Sequence, residues 1–222
     1  MIRSALLGSV LIVSQTVCNA DNGVPIPALV YKAEAAAALK NHQNTYSKRR
    51  TVVEFESGAK AETCSAYIQL ARKSRLKEDV NNQFAKSEYL ICDLLAVVSD
   101  KKVEEGNNSG YGLRLASGLD FRSFPSSLFQ ALDENRRTLT QFDATVLQIG
   151  NTFVIYETPD WRYKVEVIAS LDINNNNKVD WVIWMSDEAK SGNYRSYETI
   201  IAYDVADTGE FSASQYHFGG TE

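Results

Sequence analysis

The segment Asp172-Ile-Asn-Asn-Asn-Asn-Lys-Val-Asp180 is the stretch whose residue types and spacing point to a specific chemistry. Side-chain oxygens fall on Asp172, Asn174, Asn176 and Asp180, at alternate positions and then at the ninth, and Lys178 offers its backbone carbonyl between them. A hard cation such as calcium takes this arrangement, because roughly six to eight oxygens must converge at about 2.3–2.6 Å and alternate residues of a tight loop point inward. Asn177 stands where a left-handed turn is needed, and asparagine is the best substitute for glycine there. The same four asparagines also suit a plain polar hairpin tip, since asparagine bonds its own backbone and tolerates turn geometry. The residues alone leave both readings open.

The surrounding LDINNNNKVDWVIW resembles the calcium loop of FG-GAP and integrin-type repeats, D-x-[DN]-x-[DN]-G-x-x-D followed by an apolar strand. The resemblance implies side-chain coordination of Ca2+ by Asp172, Asn174, Asn176 and Asp180 and carbonyl coordination by Lys178. It covers about fourteen residues and occurs once, whereas the family repeats the loop around a propeller. It departs in having Asn177 for glycine and only two carboxylates, and the twelfth position, acidic in an EF-hand, is Ile183. Such a site is expected to be weak, near the roughly 10⁻⁴–10⁻³ M of extracellular modules. Asp187 and Glu188, just after the next strand, are candidates to add a carboxylate.

Other catalytic chemistry has little to build on. The histidines are His42 and His217, without HExxH, CxxC or CxxH spacing, so neither zinc nor a Ser-His-acid triad is expected. There is no G-x-S-x-G nucleophile elbow, and Gly110-Tyr-Gly112 is too short for a nucleotide loop. The acidic pairs Glu104-Glu105 and Asp187-Glu188 are the candidates for a carboxylate-based hydrolase, in which one acid stays protonated and the other ionised; adjacent acids more commonly form a solvated surface. Trp161, Trp181 and Trp184, with Tyr156, Tyr163, Tyr194, Tyr197 and Tyr203, are more aromatic than a sheet needs. Strand alternation sends Trp181 and Trp184 to opposite faces, one of them core and the other a candidate surface for sugar or protein.

The elements that must position these residues divide the chain in two. Residues 1–20, with Arg3 and an apolar run from Ala5 to Val13, read as a secretory signal peptide ending near Ala20, too interrupted by polar residues for a membrane span. A lipid-modified Cys18 is the competing reading, and Gln15-Thr16-Val17 fits it poorly. Cleavage leaves Cys64 and Cys92, an even count that predicts a disulfide in an exported chain, with a stabilisation of roughly 3–4 kcal/mol on the chain-entropy model. Residues 21–30 read as an extended lead-in and Tyr31–His42 as an alanine-rich helix. A strand is expected at Thr51–Glu56, and helices from about Lys60 to Lys73, Gln83 to Ser99 and Pro125 to Arg137, the last with Leu128, Phe129 and Leu132 inward. Cys64 and Cys92 sit at the margins of apolar stripes, so their bridge would clamp two helices. Residues 104–112 read as a loop containing the glycosylation acceptor pattern Asn107-Asn108-Ser109.

Beyond Leu139 short β-branched and aromatic runs predict strands at Thr145–Ile149, Thr152–Thr158, Tyr163–Leu171, Trp181–Met185, Tyr197–Tyr203 and Phe211–Phe218, the first two joined by Gly150-Asn151. The expectation is a single α+β domain over residues 21–222. Its helical part, about 21–138, is clamped by the disulfide and packs on a C-terminal antiparallel sheet of about six strands, 139–222.

With 23 Lys+Arg against 28 Asp+Glu, a net charge of −5 and a pI near 5.2, the chain lacks the basic face that nucleic acid or an anionic membrane requires. Acidity steers instead toward a basic protein partner. In size, leader and want of catalytic groups the chain resembles the periplasmic immunity proteins that neutralise type VI secretion toxins. That resemblance implies a non-catalytic inhibitor in the periplasm or outside the cell, with a toxin or envelope enzyme as partner. A calcium-stabilised adhesion or carbohydrate-binding module and a carboxylate hydrolase are the other readings.

Overall fold

The computed structural model describes residues 26–99, 101–107, 110–142 and 147–218. The expected leader at 1–20, Asn108 and Ser109 of the acceptor pattern, Thr145 and Val146 of the first expected meander strand and the Phe129 side chain lie outside that description. The architecture is α+β, with six α-helices among the described residues and a mixed sheet of eight strands.

Strand β1 (Ala28–Val30) leads into helix α1 (Ala33–Lys40), whose run of alanines carries Glu34 in its first turn and Lys40 in its last, matching the helix dipole. After α2 (His42–Ser47), strands β2 (Val53–Glu54) and β3 (Lys60–Ala61) form a separate two-stranded ribbon. Helix α3 (Cys64–Ala71) starts where the Thr63 hydroxyl accepts the Ala66 N–H, and α4 (Val80–Ala85) where the Asp79 carboxylate accepts that of Asn82. The single helix expected at 83–99 is broken by a 3₁₀ turn at Lys86–Glu88, and α5 (Leu90–Val97) resumes it. Cys64 and Cys92 are bonded, joining α3 to α5.

Strands β4 (Val103–Glu105), β5 (Leu147–Ile149), β6 (Phe153–Glu157), β7 (Trp161–Leu171), β8 (Asp180–Ala189), β9 (Arg195–Ala202) and β10 (Ser214–Gln215) complete the sheet with β1. The order is β10-β9-β8-β7-β1-β4. The meander is antiparallel as expected, but β1 pairs with β4 in parallel, so the sheet is mixed rather than purely antiparallel. Strand β7 is its axis. One edge pairs throughout with β8, while the other is shared end to end, by β6 along Arg162–Glu166 and by β1 at Ala169–Ser170. Ile168 is extra at the junction, a bulge that reverses which side chains face which way. Tyr163, Val165 and Val167 point into one core; Ala169 and Leu171, beyond the bulge, point into the other.

Both sheet faces are therefore covered. One carries helices α1, α3 and α5 with the disulfide. The other carries α6 (Tyr111–Gly118) and the segment from Leu119 to Leu139. This corrects three expectations. Residues 104–112, read as a loop, hold the last two residues of β4 and the start of α6; Gly112 lets that helix lie on the β5–β6 hairpin, since a Cβ there would meet the carbonyl oxygens of Gly150 at 2.1 Å and Phe153 at 2.3 Å. The helix expected at 125–137 is instead a 3₁₀ segment, Ser127–Ala131, whose Ser127 and Leu128 N–H groups donate to the distant side chains of Asp187 and Tyr163. The Asp133 carboxylate then accepts the N–H groups of Asn135 and Arg136 and closes a local turn that competes with helix. Finally, Gly150 donates its N–H to the Phe153 carbonyl, so the β5–β6 turn centres on Asn151-Thr152, one residue later than expected.

The helical layer is fastened to the sheet by a buried charged cluster. Lys86 Nζ donates to Asp93 Oδ2 at 2.9 Å and to the Tyr67 hydroxyl at 2.5 Å; the Tyr67 hydroxyl donates to Asp93 Oδ1 at 3.0 Å, and the Thr199 hydroxyl of β9 donates to Asp93 Oδ2 at 2.8 Å. Asp93 is 1% exposed. Burial by itself would favour a neutral Lys86, but the Asp93 charge overrides it and raises the lysine pKa. Asp93→Ala is expected to strand that ammonium and cost about 3–5 kcal/mol in urea unfolding, much of it recovered when Lys86→Met and Asp93→Leu are combined. Glu198, beside the cluster, has its carboxyl pushed up from its ordinary 4.5 by burial. Its folded state binds the proton more tightly than the unfolded chain, so stability present in acid is lost as the pH rises through the raised value. Glu198→Gln should therefore gain on the parent in melting temperature from about pH 4.5 upward.

Candidate functional site

The Asp172–Asp180 loop closes the β7–β8 hairpin. The Asp172 carboxylate, 6% exposed, accepts the N–H groups of Asn176 (3.0 Å) and Asn177 (2.8 Å), and the Asn174 side-chain oxygen accepts that of Asn176 as well. Asn177 is left-handed, at φ 62°, as its place in the pattern requires, and Asn175 is too. Asp180 is fully buried and takes the N–H groups of Ile173 and Asp204; burial raises its pKa. Asn176 and Lys178 donate side-chain hydrogen bonds to Asp204, whose carboxyl these contacts hold below the usual range. The structure thus gathers the residues of the pattern into one curl and adds Asp204. Among the described residues, no group of three or more His, Cys, Asp or Glu is placed to hold a metal ion.

The acidic pairs are split rather than gathered. Glu104 and Glu105 lie on edge strand β4 and form ion pairs with Lys102 and Lys40. Asp187 and Glu188 are consecutive on β8 and point to opposite faces. Glu188 accepts hydrogen bonds from Arg195 and Tyr197. His42 opens α2 and His217 follows β10, both exposed.

Asp187 marks the place where side chains from distant segments do converge. Fully buried, it accepts from the Ser127 N–H and hydroxyl (both 2.9 Å), from the Tyr163 hydroxyl (2.6 Å) and from the Tyr194 hydroxyl (3.2 Å). Burial and the Asp187 charge push the Tyr194 phenol up to about 12. These bonds pin the segment after α6 against the sheet, and beside them opens a cleft of about 730 Å³ lined by residues 122–127 and Trp161. That volume is within the usual range for ligand clefts. Arg122 is oriented by Asp120 through two guanidinium bonds of 3.0 and 3.2 Å, and the pair overcomes burial to hold the Asp120 carboxyl low. Trp161 packs edge-on against the half-exposed Tyr194 at 5.4 Å between centroids.

The aromatic residues sort accordingly. Trp181 is core, between Tyr111 and Phe211, and Trp184 packs into the opposite core, as alternation required. The sheet faces are covered, so the exposed rings lie off them: Tyr194 beside half-buried Trp161 at a strand end, and separately Phe84 and Tyr203. Arg122, Phe124, Pro125 and Ser127 were not expected as site residues from the sequence, where Pro125 reads only as a helix start and no spacing signal links them to Trp161. No family model, curated protein or solved structure matches the chain.

Asp187→Ala leaves the Tyr163 hydroxyl and the Ser127 N–H without their acceptor. The expected cost is about 3 kcal/mol in urea unfolding, with increased protease cutting within 122–131, read by mass spectrometry of the fragments.

Proposed function

We propose that this chain is an exported, non-catalytic binding protein of the immunity or inhibitor type, acting on an envelope-directed toxin by direct contact at the cleft of Arg122, Phe124, Pro125 and Trp161. Asp187 carries the reading. This carboxylate, bonded to the cleft-lining Ser127, is spent on four structural hydrogen bonds, so it shapes a wall instead of trading protons with a substrate. An aromatic anchor beside an oriented arginine is the pairing that dominates protein recognition energies. The Cys64–Cys92 bond suits an oxidising compartment, and no helix among the described residues is long and apolar enough to cross a membrane. The net charge of −5 favours a basic partner. Deleting the gene should sensitise the source cells to the toxin encoded beside it, and exported wild-type chain should restore resistance. Trp161→Ala should weaken toxin binding about 30-fold at unchanged melting temperature. Full resistance after deletion would end the proposal.

A calcium-stabilised adhesion or carbohydrate-binding module is the second reading, favoured by the curl that sets Asp172, Asn174 and Asn176 together over buried Asp180. The donors fit a hard cation, with Lys178 adding its carbonyl; bound there, it would relieve repulsion among the carboxylates and brace the hairpin tip. On this reading millimolar calcium raises the melting temperature and Asp172→Ala abolishes the rise. Identical curves in calcium and in chelator leave the loop a plain turn.

A further inference from the structure

The disulfide and the buried charged cluster share the same two helices. Cys64 opens α3 and Tyr67 follows one turn later; Cys92 lies on α5 next to Asp93. Tyr67 and Asp93 are the two groups that receive the Lys86 ammonium, and Asp93 also receives Thr199 from the sheet. Setting α3 in register with α5 therefore sets the acceptors around a buried positive charge. Both cysteines are 0% exposed, beneath the layer they join.

We propose that the Cys64–Cys92 bond gates closure of the helical layer on the sheet, so that the chain stays open while reduced and completes its fold only after oxidation. The chemistry is thiol-disulfide exchange with a disulfide oxidant, a protein or small-molecule R–S–S–R. One cysteine thiolate attacks a sulfur of the oxidant and expels RS⁻. The second thiolate then attacks the mixed disulfide and expels the other RS⁻, giving Cys64–S–S–Cys92 and, after protonation, two RSH; the two electrons pass from the cysteines to the oxidant. Because the sulfurs are sealed in the closed state, exchange takes place in the open one, and the closed layer then shields the bond from thiols. Before oxidation, closing the layer would bury the Lys86 charge against Tyr67 and Asp93 on two helices that no covalent bond holds in register, the costly case for a buried ion pair. The proposal stands independently of what the cleft binds.

The test uses the full mature chain, refolded from urea with either oxidised glutathione or dithiothreitol and followed by near-ultraviolet circular dichroism, which reports the packing of Tyr67 on Tyr89 (4.7 Å) and Phe55 (6.0 Å). The oxidised chain regains the signal; the reduced chain, and the Cys64→Ala/Cys92→Ala variant, do not, or melt more than about 15 °C lower, beyond the loss of loop entropy alone. Adding Lys86→Met and Asp93→Leu to the double-alanine variant removes the charge that needs the clamp and should restore a cooperative near-ultraviolet transition. Reduction of the native protein should reach a rate that no longer rises with dithiothreitol concentration, set by opening. A reduced chain that keeps its spectrum and melts within about 5 °C of the oxidised one overturns the proposal. So does a four-substitution variant no better folded than the double alanine, or a reduction rate that climbs in proportion to thiol throughout.

Discussion

One inserted residue, Ile168, decides how this chain can be covered on both sides. A strand presents alternate side chains to alternate faces, so without the bulge Ala169 and Leu171 would continue toward the layer that holds Tyr163, Val165 and Val167. The insertion turns them to the helical layer and passes the open edge of β7 from β6 to β1. β1 in turn brings β4 in parallel, which ties the N-terminal segments to a sheet otherwise built from the C-terminal meander. The two halves of the chain meet on that one strand.

Each face is then locked by a buried aspartate that collects donors from across the interface. On the helical side Asp93 of α5 takes Lys86, Tyr67 and, from the sheet, Thr199. On the other side Asp187 of β8 takes Tyr163, Tyr194 and, from the covering segment, Ser127. The difference between them is charge. Asp93 neutralises a lysine, whereas Asp187 is solvated by hydroxyls and an N–H, which suffices for a carboxylate when the donors are several and well aimed. The first arrangement resists sliding of α3 against α5; the second fixes the wall of the cleft.

What was legible in the sequence follows from which interactions are local. The bond between Cys64 and Cys92, the opposed placement of Trp181 and Trp184 and the left-handed Asn177 are consequences of parity, periodicity and turn chemistry, and all three are found. Helix α6 was hidden because its glycines carry a loop signal, while Gly112 is there for a close approach to the backbone of a hairpin some forty residues later. The 125–137 segment has helical periodicity, yet the Asp133 carboxylate claims the N–H groups of Asn135 and Arg136 and closes a turn within it. Val103–Glu105 carries no alternating pattern and becomes a strand only because β1 offers an edge. The cleft was illegible for the same reason: Arg122 and Trp161 belong to different elements and meet only through the folding of the sheet.

The sheet tapers to very short outer strands. β10 has two residues, β4 and β5 have three each, and on β4 the carboxylates of Glu104 and Glu105 are engaged by lysines. A short charged margin offers a neighbouring polypeptide few backbone groups in a row and sets ions in its path. The long strands β7 and β8 are thereby kept inside, away from the edges at which the sheet of one copy could join that of the next.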